Sequence, residues 1–390
     1  MANVFAKKPV VITRGKGALV WDINGKEYVD CTSSYGVALL GHCHPRIVEA
    51  ICKQAEQLIS CHAGYYNDKR SEFLQKLTSI TPKGLDKAFL SNSGAESVEC
   101  AIKLARKHMG KPEIVAVMGA FHGKTMGALS ATWDKKYREP FQPLVPEIKH
   151  VPPDNFEKIR DAISEKTAAI LIEPIRGEGG IRVPPEGFLK GLREVCDEKN
   201  ILLIFDEVQT GFGRTGKLFA CEHWKIVPDV ICLAKPLAGG LPLGATVARE
   251  DIMSSFKVGD HSTTYSGNPL VCAAGCAAID VLLEEKLADR AATLGAYFKS
   301  KLEDLHSRHR TVKEVRGLGL MLGMETKFDV LNVILKAIKN GVLVLDAGRN
   351  VLRFLPPLVI NTEQINKAIS VLDSILEEEE NARSSSTAAN

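Results

Sequence analysis

The stretch Ile201-Leu202-Leu203-Ile204-Phe205-Asp206-Glu207-Val208-Gln209-Thr210-Gly211 decides the fold. An unbroken apolar run ends on a pair of carboxylates. A run that is apolar on both faces marks a strand in a covered, mostly parallel sheet. Runs on either side repeat the pattern: Ala168-Ala169-Ile170-Leu171-Ile172 stops at Glu173-Pro174, and Val230-Ile231-Cys232-Leu233 stops at Ala234-Lys235. Between the first two lies a helical pattern from Phe188-Leu189 to Val195, which completes the strand–helix–strand grammar of an open α/β domain. The polar residues sit just past the C-terminal ends of the runs. That edge is where doubly wound sheets bind ligands, so the chemistry is expected there.

Beyond Leu287 the texture changes. A helix-like stretch from Arg290 to Leu305 precedes Val312-Lys313-Glu314-Val315-Arg316-Gly317 and shorter strand and helix patterns. At the other end, Val20 to Tyr28 reads as a hairpin with an Asn24-Gly25 turn. Both termini are therefore expected to build a smaller α+β domain: residues 1–50 and 287–376, around a large domain at 51–286. Residues 377–390, a Glu run followed by Ser, Thr and Ala, read as a disordered, solvated tail.

The bulk numbers exclude several classes. A net charge of +3, with no Lys/Arg run interleaved with aromatics, carries no nucleic-acid footprint. No apolar run approaches the ~18 residues of a membrane span, and no signal-peptide segment opens the chain. The ten cysteines include no CxxC pair, which fits a reducing, cytoplasmic compartment. Cys272 and Cys276 are one helical turn apart and read as packing. His42-Cys43-His44 lacks a further ligand at known spacing, so no metal is expected.

Three features carry chemistry. Ser91-Asn92-Ser93-Gly94-Ala95-Glu96 enters a helical pattern, with Ser93 and Glu96 as a capping box and Gly110 and Pro112 closing it. Such a small-residue helix entry either serves as a plain cap or holds a phosphate on its free N–H groups. Asp206 is either a strand-end surface residue or a buried anion that keeps a pyridinium nitrogen protonated. Lys235, followed by Pro236 and Gly239-Gly240, is either a snorkelling surface lysine or an amine with access to a bound aldehyde.

Their order and spacing decide among these readings. The run Phe205 to Gly216, then Pro228-Asp229, Ala234-Lys235 and Thr264-Tyr265-Ser266-Gly267-Asn268-Pro269, resembles the fold-type I class III aminotransferases. So do Gly41-His42 with His44-Pro45, Asn92-Ser93-Gly94-Ala95-Glu96, Phe121-His122-Gly123, and Glu173-Pro174 with Gly177-Glu178-Gly179. The resemblance covers nearly the whole chain up to the tail.

It implies a pyridoxal 5'-phosphate cofactor bound as a Schiff base to Lys235, which then shuttles a proton between substrate and cofactor. It places Asp206 on the pyridine nitrogen, Gln209 on the ring-hydroxyl side, Phe121 flat on the ring and His122 beside it. Ser93, Gly94 and Ala95 take the phosphate, helped by Thr264 from a neighbouring subunit, which requires a homodimer. Arg353 grips a carboxylate of glutamate or 2-oxoglutarate as a fork. Glu178 pairs with Arg353 when the amine donor is bound, and Thr263 joins the substrate site.

Within the class, the chain resembles the acetylornithine aminotransferase branch. Ser130-Ala131-Thr132-Trp133, Lys136-Tyr137-Arg138-Glu139-Pro140-Phe141 and Arg353-Phe354-Leu355-Pro356 look most like its lysine- and ornithine-biosynthetic members. Those members act on precursors whose α-amine is tethered to a small acidic amino-group carrier protein; blocking the α-amine prevents cyclisation of the semialdehyde. Lys135, Lys136 and Arg138 are the expected contacts for such a carrier, with a solvated face as the alternative. The branch usually has an arginine after Phe121-His122-Gly123 to hold the substrate α-carboxylate, but here the residue is Lys124. Lysine supplies the charge without the fork. The alternatives are N2-acetylornithine as the free substrate, and a catalytically silent cofactor-binding protein, against which the intact Lys235, Asp206 and Gln209 argue.

Overall fold

A computed structural model describes residues 2–388. Its centre is a seven-stranded sheet. From one edge to the other the strands are Lys87–Ser91, Gly244–Ala248, Val230–Leu233, Leu202–Asp206, Thr167–Ile172, Glu113–Val117 and Ile148–Val151. Gly244–Ala248 runs antiparallel to both its neighbours, and the other pairings are parallel. The three apolar runs are adjacent central strands, buried along their whole length. The helices Gly94–Met109, Phe188–Lys199 and Pro269–Glu284 bury apolar faces in the same molecule, and Val98, Ile102 and Ala105 lie on the inner side of the first.

Parallel pairing puts the ends of these strands at one edge. Phe205 pairs with Ile172 on one side and Ile231 on the other. Glu173, Asp206 and Lys235 therefore emerge side by side, and Ser91 leads into the helix cap at Ser93 on the same edge.

Two smaller four-stranded sheets use both termini. Leu19–Asp22 and Glu27–Asp30 form the expected hairpin, and Val342–Leu343 adds in parallel to Glu27–Asp30. The other sheet joins Val312–Leu318, Met321–Thr326, Val351–Phe354 and Leu345–Asp346. Arg353 sits in its interior, paired with Gly323 on one side and Leu345 on the other.

The segment 377–390, expected as a disordered tail, departs from that reading where it is described, and its last two residues lie outside the described residues. The helix Thr362–Ala388 continues through the Glu run. Ile375 and Leu376 are buried, Glu379 takes Lys336 Nζ at 2.9 Å, and Glu380 accepts from the Thr311 N–H at 2.9 Å. Charge density alone suggested a solvated tail. Ion pairs to the neighbouring helix Leu331–Lys339, and apolar contacts one turn earlier, keep the segment helical. Among the described residues no helix is long and apolar enough to cross a membrane.

Candidate active site

At the C-terminal edge of the large sheet lies a cavity of about 450 Å³, lined by Ser93, Gly94, Ala95, Phe121, His122, Lys124, Glu178, Asp206, Gln209 and Lys235. That volume suits a small-molecule ligand. Glu173 also lines it. Arg353 reaches its rim through Glu178, whereas Thr264 is exposed and does not line it. Thr263 Oγ1 accepts from Asn92 Nδ2 at 2.8 Å, which ties that loop to the helix entry of the same chain.

Lys235 follows the buried strand Val230–Leu233 and opens a short 3₁₀ turn with φ 46°. A non-glycine residue there costs about 1–3 kcal/mol and persists only where its surroundings impose it. Burial lowers its ammonium from 10.5 to about 8, against the opposing pull of Glu178. The amine is thus available as a nucleophile near neutrality.

Asp206 is buried, with Oδ2 2.7 Å from His122 Nδ1 and Oδ1 accepting the Val208 N–H at 3.0 Å. Each carboxylate oxygen keeps a further lone pair for a donor in the cavity. His122 has no exposed side-chain surface, and its contact with Asp206 fixes the carboxylate's direction.

The helix Gly94–Met109 starts where the sequence places it. Ser93 Oγ accepts the Glu96 N–H at 3.2 Å, and Glu96 Oε2 accepts the Asn92 N–H at 2.8 Å. A capped terminus still directs its remaining first-turn N–H groups and positive dipole end outward, here into the cavity. A Cβ on Gly94 would stand 2.7 Å from Val208 Cγ1, so glycine lets the backbone of the cradle lie against its wall.

Glu173 received no role from the sequence. Its Oε1 accepts the Phe121 N–H at 2.7 Å and Oε2 the Gly177 N–H at 3.0 Å, clamping two site loops together. Burial pushes its carboxyl up to about 7, opposed by the His122 ring. The signal was present, because Glu173 ends an apolar run just as Asp206 does. Gln209 packs so tightly on the second loop that a Cβ on Gly177 would lie 2.2 Å from its Oε1.

Arg353 is fully buried. Its Nη1 donates to Glu178 Oε1 at 2.5 Å, while Nε and Nη2 have no hydrogen-bond partner among the described residues. The Tyr35 ring lies 5.3 Å from its guanidinium carbon. Past Phe121 and Glu178 the cavity adjoins a vestibule of about 550 Å³ that includes Trp133, Lys136, Tyr137 and Arg349. Lys124 and Lys136 each place an ammonium 4.7 Å from the Tyr137 ring centre. His42 and His44 turn to different carboxylates, Asp30 at 2.7 Å and Glu285 at 3.1 Å.

These residues fit pyridoxal 5'-phosphate. A helix entry suits its phosphate, a buried carboxylate its ring nitrogen, an amine of lowered basicity its aldehyde, and the buried Gln209 Oε1, without a hydrogen-bond partner among the described residues, its ring hydroxyl.

The fold and this edge define a transaminase. The chain belongs to the class-III aminotransferase family: the family model described as "Aminotransferase class-III" matches residues 1–376. It is 49% identical over 379 residues to the acetylornithine aminotransferase of Methanopyrus kandleri, covering 96% of each chain. It is 45% identical to the LysW-aminoadipate semialdehyde transaminase of Deinococcus radiodurans, covering 96% of this chain and 88% of the other. A solved ornithine aminotransferase from Toxoplasma gondii, described with partial occupancy of PLP at its active site, superposes with TM-score 0.94 at 37% identity, covering 98% of this chain and 93% of that one.

Proposed function

We propose that this enzyme transfers the terminal amino group of an α-amine-blocked lysine or ornithine to 2-oxoglutarate, giving the semialdehyde and glutamate. Biosynthesis uses the reverse, aminating direction. The observation that carries the proposal is the buried Arg353, held at one nitrogen by Glu178 and, among the described residues, unpartnered at two others. A dicarboxylate displaces Glu178 and completes the fork; a monocarboxylate amine donor leaves the pair closed. One pocket thereby accepts two unlike substrates in turn.

The cofactor, when bound, supplies an aldehyde and an electron-accepting ring. Lys235 would contribute the amine that holds it, and the same amine would take up and return the proton at the substrate carbon. Asp206, aimed by His122, holds a proton at the ring nitrogen. Gln209 would meet the ring hydroxyl, Phe121 would cover one ring face, and Ser93, Gly94 and Ala95 would receive the phosphate. Thr264 completes that phosphate site in a second copy of the chain, so the working unit is a homodimer. Lys124 takes the donor's α-carboxylate, with Thr263 nearby. Residues 1–50 and 287–376 act as one small domain against 51–286.

The vestibule gives a blocked α-amine room beyond Phe121. We favour a carrier-linked substrate, with Lys135, Lys136 and Arg138 on the carrier's side; the similarity to the LysW-aminoadipate enzyme supports it. Free N2-acetylornithine is the second reading. It is favoured by the similarity to acetylornithine aminotransferases, and by local commitments: Lys136 pairs with Asp134 at 2.9 Å and Arg138 donates to the Trp133 carbonyl at 3.0 Å.

The test is a half-reaction assay, following cofactor absorbance on mixing with free, acetylated and carrier-linked lysine and ornithine. Blocked donors are expected to react and free ones to lag. Equal rates for free and blocked donors would sink the proposal. Charge reversal at Lys135, Lys136 and Arg138 separates the two readings, since it impairs only the carrier-linked substrate.

A further inference from the structure

We propose that Arg214 is a positioning residue for the dicarboxylate half of the reaction: through Ser33 it fixes a left-handed turn that sets Tyr35 against Arg353. The inference rests on the reading of Arg353 as the carboxylate site.

Ser33, Ser34, Tyr35 and Gly36 are consecutive residues with φ of 40°, 52°, 62° and 93°. Three of them carry side chains, and such a run survives only where its neighbours over-determine it. On one side Asp30 Oδ1 accepts from Thr32 N at 2.8 Å, Thr32 Oγ1 at 2.6 Å and Ser33 N at 3.1 Å. On the other, Ser33 Oγ donates to the Leu355 carbonyl at 2.6 Å and accepts from Arg214 Nη2 at 3.2 Å.

Arg214 is fully buried, and its Nη1 donates to the carbonyls of Leu320 at 2.9 Å and Pro356 at 2.6 Å. Its hydrogen-bond acceptors are all neutral, and the anion that answers its charge is Asp30, across the turn. A buried cation so placed contributes little net stability. Its planar fork instead fixes geometry, joining the turn to Leu355 and Pro356, which directly follow the strand Val351–Phe354 bearing Arg353. The turn meets the site at Tyr35, whose ring lies 5.3 Å from the Arg353 guanidinium.

The experiment measures glutarate binding to the holoenzyme by titration calorimetry, with kcat and KM for each half-reaction, in Ser33→Ala, Arg214→Lys and Arg353→Ala. Ser33→Ala and Arg214→Lys are expected to weaken glutarate and raise KM for 2-oxoglutarate about tenfold, with the amine half-reaction within about twofold of wild type. A purely structural role would move both halves together. If Arg353→Ala still binds glutarate, the reading of Arg353 and this inference fall together. If Arg353→Ala abolishes binding but Ser33→Ala binds as tightly as wild type, or loses both halves equally, the role of Arg214 is overturned. Should Arg214→Lys fail to fold, Ser33→Ala alone decides.

Discussion

Arg353 and Glu178 meet at 2.5 Å across the boundary between a sheet built near the C-terminus and a loop of the large sheet, the cation fully buried and the anion part-exposed. Replacing Glu178 by Gln leaves the guanidinium without its resident charge. The expected outcome is a lower KM for 2-oxoglutarate and a roughly tenfold loss of kcat/KM for the amine donor. Steady-state kinetics on both substrates read it, and an unchanged ratio of the two would contradict the exchange of partners.

Lys235→Ala removes the amine. Turnover is expected to fall by about 10³-fold or more. Borohydride treatment should then leave no cofactor attached to the protein, as mass spectrometry would show.

The depressed basicity of Lys235 has a pH signature. Its amine titrates near 8 in the fold, against an ordinary 10.5. Between those values the unfolded chain binds the extra proton, so the cofactor-free protein gains stability as pH rises through that window. Melting curves of the cofactor-free protein minus those of Lys235→Met isolate this slope. A flat difference would count against a buried, neutral amine.

Glu173 behaves in the opposite sense. Its carboxyl titrates near 7 rather than 4.5, so the folded state binds the extra proton and stability is lost as pH rises between them. Glu173→Gln is expected to flatten that component. With one carbonyl oxygen for the Phe121 and Gly177 N–H groups, it also costs about 1–3 kcal/mol, measurable by denaturant titration.

Gly177→Ala tests the packing under Gln209. The added methyl would lie 2.2 Å from Gln209 Oε1, so the side chain must move. A cost of about 1–3 kcal/mol is expected, with weaker cofactor retention on dialysis.

Much of this site was legible in the chain. Continuous apolar runs ending at Glu173, Asp206 and Lys235 specified adjacent buried strands and the edge where their polar ends collect, because burial on both faces and parallel pairing follow from local composition. The cap at Ser93 is local as well, and so is the hairpin over residues 19–30, although its turn centres on Ile23 and Asn24 and is closed by Gly25 instead of being an Asn24-Gly25 turn. What the sequence alone could not place are the encounters between distant segments. These include the Glu173 clamp on two loops, the Tyr35 ring over Arg353, Arg214 bridging Ser33 to Pro356, and the helical course of the Glu run. Backbone strain at Ser33–Gly36 and the depressed basicity of Lys235 depend on which groups share a dry interior. Only the closed tertiary structure settles that, since desolvation and hydrogen-bond geometry belong to the assembled site and not to any stretch of chain.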